Sequence, residues 1–184
     1  MGKKLSCKGK DLSSKSGELV EIKAEVEDLA QVRERLRELG ARHLGTFRQI
    51  DTYFEVPEGR LKLRETLGEK LAELVYYERE DVPGPKKSKV YLVRLEKPRT
   101  FREVLCKVLR IKVVVKKIRE VYIYRGTRIH LDRVEGLGAF VEFEKKTLDV
   151  KKDREFLKEL MSELALNPSS LISLSYSDLL EALG

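Results

Sequence analysis

His130-Leu131-Asp132-Arg133-Val134-Glu135-Gly136-Leu137-Gly138-Ala139-Phe140-Val141-Glu142-Phe143-Glu144 reads as two short strands joined by a glycine turn. Side chains of a strand alternate between faces, so His130, Asp132 and Val134 share one face and Ile129, Leu131 and Arg133 the other. Beyond the turn, Glu142 and Glu144 share a face, and Val141 and Phe143 take the opposite one. Gly136 and Gly138 give the backbone the freedom that a turn or bulge needs. Asp132, Glu142 and Glu144 could therefore converge as hard oxygen ligands for Mg²⁺ or Mn²⁺. A solvated sheet face carries such residues equally well. The rest of the chain decides between the two.

The same division of faces runs through the other strands. In Glu18 to Val26, Val20, Ile22, Ala24 and Val26 form a complete apolar face, while Leu19, Glu21, Lys23 and Glu25 form the other. In a closed barrel this sends apolar groups outward under helices and charged groups into the lumen. A helix follows, with Asp28 as cap, Leu29, Val32, Leu36 and Leu39 as its stripe, and Gly40 as its end. Around the turn at Pro57-Glu58-Gly59, Asp51, Tyr53 and Glu55 alternate with Thr52, Phe54 and Val56. Beyond it, Arg60, Lys62 and Arg64 alternate with Leu61 and Leu63. Three cations on one strand face repel unless an anion lies among them, either a ligand or a nearby carboxylate.

Further strands are predicted at Leu74 to Arg79, Val90 to Leu95, Ile111 to Ile118, Val121 to Tyr124 and Thr127 to Val134. Val113, Val115, Lys117 and Arg119 share a face of one of them. A second helix fits Thr100 to Leu109, with Cys106 near its apolar side. A third fits Asp153 to Leu166, stopped by Asn167-Pro168, and a short last one fits Ser177 to Leu183, capped by Ser177 or Ser175. The fold class is α+β: an eight-stranded antiparallel barrel with helices packed outside.

At 184 residues the chain is long enough for one domain with a real core. The net charge of +7 is uneven, with +4 on residues 1–17 and +3 on the remainder. Residues 1–17 read as a basic, flexible extension and 18–184 as the folded domain. The mixed signs of the body argue for segregated patches, and a basic RNA-binding barrel lacks the spaced aromatic platforms it would need. Two cysteines make no disulfide framework, and no apolar run approaches a membrane span, so a cytoplasmic setting is expected. The working unit is expected to be a monomer or a homodimer, without a membrane or nucleic-acid partner.

The candidate lumen residues are the acids Glu21, Glu25, Asp132, Glu142 and Glu144 and the bases Lys23, Arg60, Lys62, Arg64, Arg79, Lys117 and Arg119. Unpaired buried ions each lose several kcal/mol of hydration, so such a lumen makes sense when water, metal and a polyanion fill it. A phosphate chain wants both halves of this set. Arg and Lys bind its oxygens, and a carboxylate-held cation bridges them.

Glu21-x-Lys23, Lys117-x-Arg119 followed by Tyr122, and Arg128-Ile129-His130-Leu131-Asp132-x-Val134-x-Gly136-Leu137-Gly138-x-Phe140-x-Glu142-x-Glu144 resemble the CYTH family, the triphosphate tunnel metalloenzymes. Tyr76-Tyr77-x-Arg79-x-Asp81 and Ser175-Tyr176-Ser177-Asp178-Leu179-Leu180 resemble its class IV adenylate cyclase branch. The resemblance implies an eight-stranded tunnel that takes a small triphosphate with Mg²⁺ or Mn²⁺. Glu21, Glu142 and Glu144 would hold metal, with Asp132 as ligand or support. Lys23, Arg60, Lys62, Arg64, Arg79, Lys117 and Arg119 would bind phosphate, and Glu21 and Glu142 would serve catalysis. Two departures stand out. The family's strand-one signature is Glu-x-Glu-x-Lys, and its first position here is Leu19; Lys62 stands where relatives often have arginine.

The leading expectation is hydrolysis of a small inorganic or organic triphosphate. The alternative is cyclisation of ATP to cyclic AMP and pyrophosphate. A non-catalytic polyphosphate- or nucleotide-binding module is the third reading, which Leu19 supports. His130 is expected to hydrogen-bond within the sheet, Cys106 to pack against the core, and Tyr176 to dock the last helix on the barrel.

Overall fold

Strand β1 (Ser14–Val26) shows why the chain closes into a barrel. Val20, Ile22 and Ala24 are buried on its outer face, while Glu21 and Lys23 are buried on its inner one. A sheet apolar outside and charged inside needs helices over its outer surface, and the chain supplies them. The computed structural model describes residues 14–183. In chain order β1 is followed by α1 (Leu29–Glu38), β2 (Arg42–Phe54), β3 (Arg60–Thr66), β4 (Ala72–Arg79), β5 (Lys86–Leu95), α2 (Pro98–Val108), β6 (Ile111–Tyr124), β7 (Thr127–Val134), β8 (Gly138–Lys146), α3 (Val150–Glu163) and α4 (Tyr176–Glu181).

The strands close in the order β1-β5-β4-β3-β2-β6-β7-β8, every neighbouring pair antiparallel. Strands β2 to β5 and β6 to β8 are two runs of hairpins, and β1 bridges them by pairing with both β5 and β8. The turn between β7 and β8 uses Gly136 at φ 79° and Gly138 at φ 111°, which a side chain would strain.

Helices α1 and α3 cover one flank. Leu29, Val32 and Leu36 from α1 and Leu157, Leu160 and Met161 from α3 share a core with Val20, Ile22, Leu131, Val141 and Phe143. Each large side chain buried there contributes roughly 1.5–3 kcal/mol. Asp28 caps α1 through the Ala30 amide at 2.8 Å. Helix α2 buries no side chain completely; Leu105 and Leu109 lean on Phe54, Leu63, Ala72 and Leu95. Cys106 is exposed there, a correction to its expected packing, because the covered face of α2 is narrower than its apolar arc.

After α3 the chain reaches the end of the barrel where β1 finishes. Leu171 bridges Ala24, and the Ile172 amide donates to the Lys23 carbonyl at 2.9 Å, extending the sheet where β5 has stopped. Ser175 and Asp178 form a capping box, and α4 lies across this end with Tyr176 buried against Phe140, ring centroids 5.0 Å apart. Tyr176 thus docks the last helix as expected.

The structure departs from the sequence reading in strand lengths. Ser14 to Gly17 lengthen β1 by pairing with β5, while residues 1–13 of the expected extension lie outside the described residues. Strand β2 runs back to Arg42, and β6 passes unbroken through Glu120, because each holds the other along its whole length. Glu25 keeps the inward register opposite Phe140, yet it is exposed: β1 has reached the rim, so Glu25 is no lumen residue. Among the described residues, no helix is long and apolar enough to cross a membrane.

Candidate active site

The lumen holds a cavity of about 510 Å³, into which the inward residues of all eight strands project together with Ser175 and Tyr176 from the capping segment. Two walls differ in charge.

The first wall is built by β1, β7 and β8. Antiparallel register sets Glu21 opposite Glu144, Lys23 opposite Glu142, and His130 opposite Glu142 on its other side. Arg119 Nη2 donates to Glu142 Oε2 at 2.7 Å, and Lys23 Nζ stands 3.5 Å from Glu142 Oε1. Arg79 Nη1 donates to Glu21 at 3.2 Å. Burial pushes the Glu21 carboxyl up, and the negative charges of Glu142 and Glu144 add to it, with Arg79 and Lys23 opposing. Glu142 is held well below the usual carboxylate range, because the charges of Lys23 and Arg119 outweigh its burial. Burial lowers the proton affinity of His130, and the Arg119 charge lowers it further. Its Nδ1 is buried without a hydrogen-bond partner.

Asp132 lies behind this wall. Arg119 grips it with Nε at 2.7 Å and Nη2 at 2.5 Å, and the Tyr176 hydroxyl donates to it at 2.8 Å. Both its oxygens are occupied, and it supports Arg119 while Arg119 reaches Glu142. One ligand atom each from His130, Glu142 and Glu144 lie within 4.8 Å of one another. An orphaned ring nitrogen beside carboxylates that raise the proton affinity of Glu21 is a donor set that fits a divalent cation. Glu21 lines the same cavity next to Glu144.

The second wall is built by β2, β3 and β6 around a wholly buried Asp51. Arg64 binds it in a fork, Nε at 2.8 Å and Nη2 at 2.9 Å, Lys62 Nζ donates at 3.1 Å and Lys117 Nζ at 2.6 Å. Burial would raise Asp51, but Arg64, Lys117 and Lys62 together hold it well below its ordinary range. Burial pushes the Lys117 ammonium down to about 7, against the attraction of Asp51 and with the repulsion of Arg64, Arg119 and Lys62. Lys62, Arg64 and Lys117 still line the cavity. The anion among the strand cations is thus a carboxylate of the chain.

Between the walls, Arg79 also holds the Ser173 carbonyl at 2.9 Å, and Lys86 holds the Ile172 carbonyl at 2.8 Å, tying the capping segment to the barrel. Lys86 is pushed down to about 8 by burial and then by Arg79. Arg60 is not brought into the cavity: it binds Asp178 of α4 at 2.9 Å and Asp81 at 3.0 Å, locking the closed end. The cavity therefore gathers Glu21, Glu142, Glu144, Lys23, Lys62, Arg64, Arg79, Lys117 and Arg119.

Sequence reasoning missed His130 and Asp51 as site residues. His130 is expected only to hydrogen-bond within the sheet, whereas its neighbours are the carboxylates across the hairpin turn. Asp51 had a visible signal, a short acid on the strand before three spaced cations, but its register against Arg64 appears only in the paired sheet.

The CYTH domain matches residues 18–176. The sequence is 33% identical over 178 residues to a "putative adenylate cyclase" of Methanocaldococcus jannaschii, covering 87% of this chain and 97% of that one. The structure is similar to a conserved hypothetical protein of Pyrococcus furiosus, with a TM-score of 0.78, 27% identity, and 88% and 99% of the two chains covered. A Hippeastrum protein titled a "putative adenylyl cyclase" with a dominant triphosphatase activity shares the fold, with a TM-score of 0.62, 16% identity, and 91% and 95% covered. The closed eight-stranded barrel with external helices is the triphosphate-tunnel fold. The chain belongs to the CYTH domain family.

Proposed function

We propose that this protein is a divalent-metal-dependent phosphohydrolase that cleaves a small inorganic or organic triphosphate inside its barrel. The observation that carries this reading is the opposition of the two walls: clustered carboxylates face Lys62, Arg64 and Lys117 across one cavity of about 510 Å³. Glu142 and Glu144, with Glu21 beside them, are placed to hold Mg²⁺ or Mn²⁺, which supplies Lewis-acid polarisation of phosphate oxygens when bound. Lys23 of β1, Arg79 of β4 and Arg119 of β6 all reach the carboxylates of the acid wall, so they meet a phosphate chain at the end where those carboxylates lie. Lys62, Arg64 and Lys117 meet its far end. Preorganised cations of this kind stabilise charge on the transferred phosphoryl group. Glu21 is the lumen carboxylate placed to take the proton of the attacking water.

Cyclisation of ATP is the second reading, favoured by the name of the M. jannaschii relative. In it the ribose 3′-hydroxyl replaces water. ³¹P NMR separates them, with the protein and Mg²⁺ or Mn²⁺ incubated with tripolyphosphate and, separately, ATP. Orthophosphate released from tripolyphosphate supports hydrolysis. Pyrophosphate with a cyclic-nucleotide signal from ATP replaces it with the cyclase. Shifted phosphate lines without turnover leave a binding module.

A further inference from the structure

We propose that His130 is a direct ligand of the divalent ion, completing a site that Leu19 leaves one carboxylate short, and that the site therefore prefers Mn²⁺ to Mg²⁺. The inference rests on the metal-dependent reading above and concerns which ion and which atoms.

Leu19 lines the cavity two residues before Glu21, on the same inner face of β1, and brings no oxygen to it. The opposite side of the cluster holds the compensating donor. His130 is 3% exposed, and its Nδ1 is 3.6 Å from Glu142 Oε2 and 3.8 Å from Glu144 Oε1. Both distances exceed a hydrogen bond. Donors sharing an ion at roughly 2.1 Å stand roughly 3–3.5 Å apart, so a small inward movement of these side chains would suffice. A buried nitrogen without a partner costs free energy that an ion would recover. Asp132 does not compete for the place, since Arg119 and Tyr176 occupy it.

Ion choice follows from the donor atoms. Mg²⁺ takes oxygen ligands almost alone and gives up its waters reluctantly, whereas Mn²⁺ accepts carboxylate and, as a first-row transition ion, imidazole. Exchanging one carboxylate for one ring nitrogen lowers the negative charge of the site and adds a donor Mg²⁺ uses poorly. A simpler role is open to His130: a hydrogen bond that orients Glu142 without touching metal.

The test is direct metal binding by the full chain stripped with a chelator. Calorimetry with Mg²⁺ and Mn²⁺ gives the ratio of affinities, and pulsed EPR at substoichiometric Mn²⁺ reads nitrogen coupled to the ion. The expected result is a preference of about tenfold for Mn²⁺ and a directly bonded ¹⁴N signal that changes on ¹⁵N-histidine labelling. His130→Gln should remove the signal and the preference together. Labelling the wild-type chain keeps the test decisive if that variant does not fold, and exposed His43 is distinguished by His130→Gln in the folded case. Mn²⁺ bound without histidine nitrogen overturns the proposal and leaves the metal-dependent reading standing. Neither ion bound, with or without tripolyphosphate, overturns both.

Discussion

The two walls of the lumen meet opposite electrostatic demands. The β2–β3–β6 wall gathers Lys62, Arg64 and Lys117 around one carboxylate that reaches all three, so its charges are bound before any ligand arrives. The β1–β7–β8 wall gathers Glu21, Glu142 and Glu144 unequally paired: Glu142 is shared by Lys23 and Arg119, whereas Glu144 has no lysine or arginine within ion-pair distance among the described residues. The cation wall is a finished structure, and in the proposed reading a phosphate chain would share it with Asp51. The acid wall keeps open charge at Glu144, and in the proposed reading a cation would answer it.

The contrast breaks first at Glu142. Glu142→Gln removes the negative charge shared by Arg119 and Lys23 and exchanges one carboxylate oxygen, a proposed metal donor, for an amide nitrogen. Phosphate release from tripolyphosphate should fall by roughly a thousandfold, followed by ³¹P NMR. A variant retaining a tenth of wild-type turnover would remove Glu142 from the reaction.

Asp51→Asn attacks the other wall. It leaves three buried or half-buried cations without their counterion, and breaking a buried ion network by one partner costs about 3–5 kcal/mol. Urea melts should show this loss. Tripolyphosphate should then stabilise the variant more than the wild type, because the ligand replaces the missing anion. Equal stabilisation of the two would mean that the phosphates never reach this wall.

How much of this was legible in the sequence follows from what each residue depends on. The apolar face of β1 and the turn at Gly136 and Gly138 depend on local period and backbone freedom, and both were readable. The inward acids of β8 followed from the same period. Asp51 depends on register: it meets Arg64 across β3 and Val115 across β6, and no local pattern encodes which residues face one another around a barrel. Arg60 shared the face of Lys62 and Arg64, but the rim of the barrel came between, and α4 offered Asp178. Strand ends such as Ser14 to Gly17 took their conformation from a partner, against their own composition.

A smaller effect probes the buried lysine of the cation wall. Burial pushes the Lys117 ammonium down to about 7, below the ordinary lysine range, so it is charged below that pH and loses its proton as pH rises toward 9. A phosphate chain favours the charged form, so binding draws in a proton and weakens as pH rises. The affinity for tripolyphosphate should drop by about tenfold from pH 6.5 to 9 beyond the change in Lys117→Gln. Asp51, Arg64, Lys62 and Arg119 face this group in both states. Calorimetry that gives parallel pH profiles for the two proteins would show that Lys117 does not meet the ligand.

The mildest perturbation restores the carboxylate that β1 lacks. Leu19→Glu adds an acid two residues from Glu21, on a wall where Glu142 and Glu144 already press the Glu21 carboxyl upward. Without metal the added charge should make the barrel less stable, by about 1 kcal/mol at this cavity-lining site. With Mg²⁺ the sign should reverse, because the same oxygen becomes a ligand, and Mg²⁺ affinity should rise a few-fold. Thermal melts with and without Mg²⁺ measure both halves. If Mg²⁺ leaves the variant as destabilised as it was without the ion, the acid wall does not bind the ion near Leu19, and its open charge must be answered from elsewhere in the lumen.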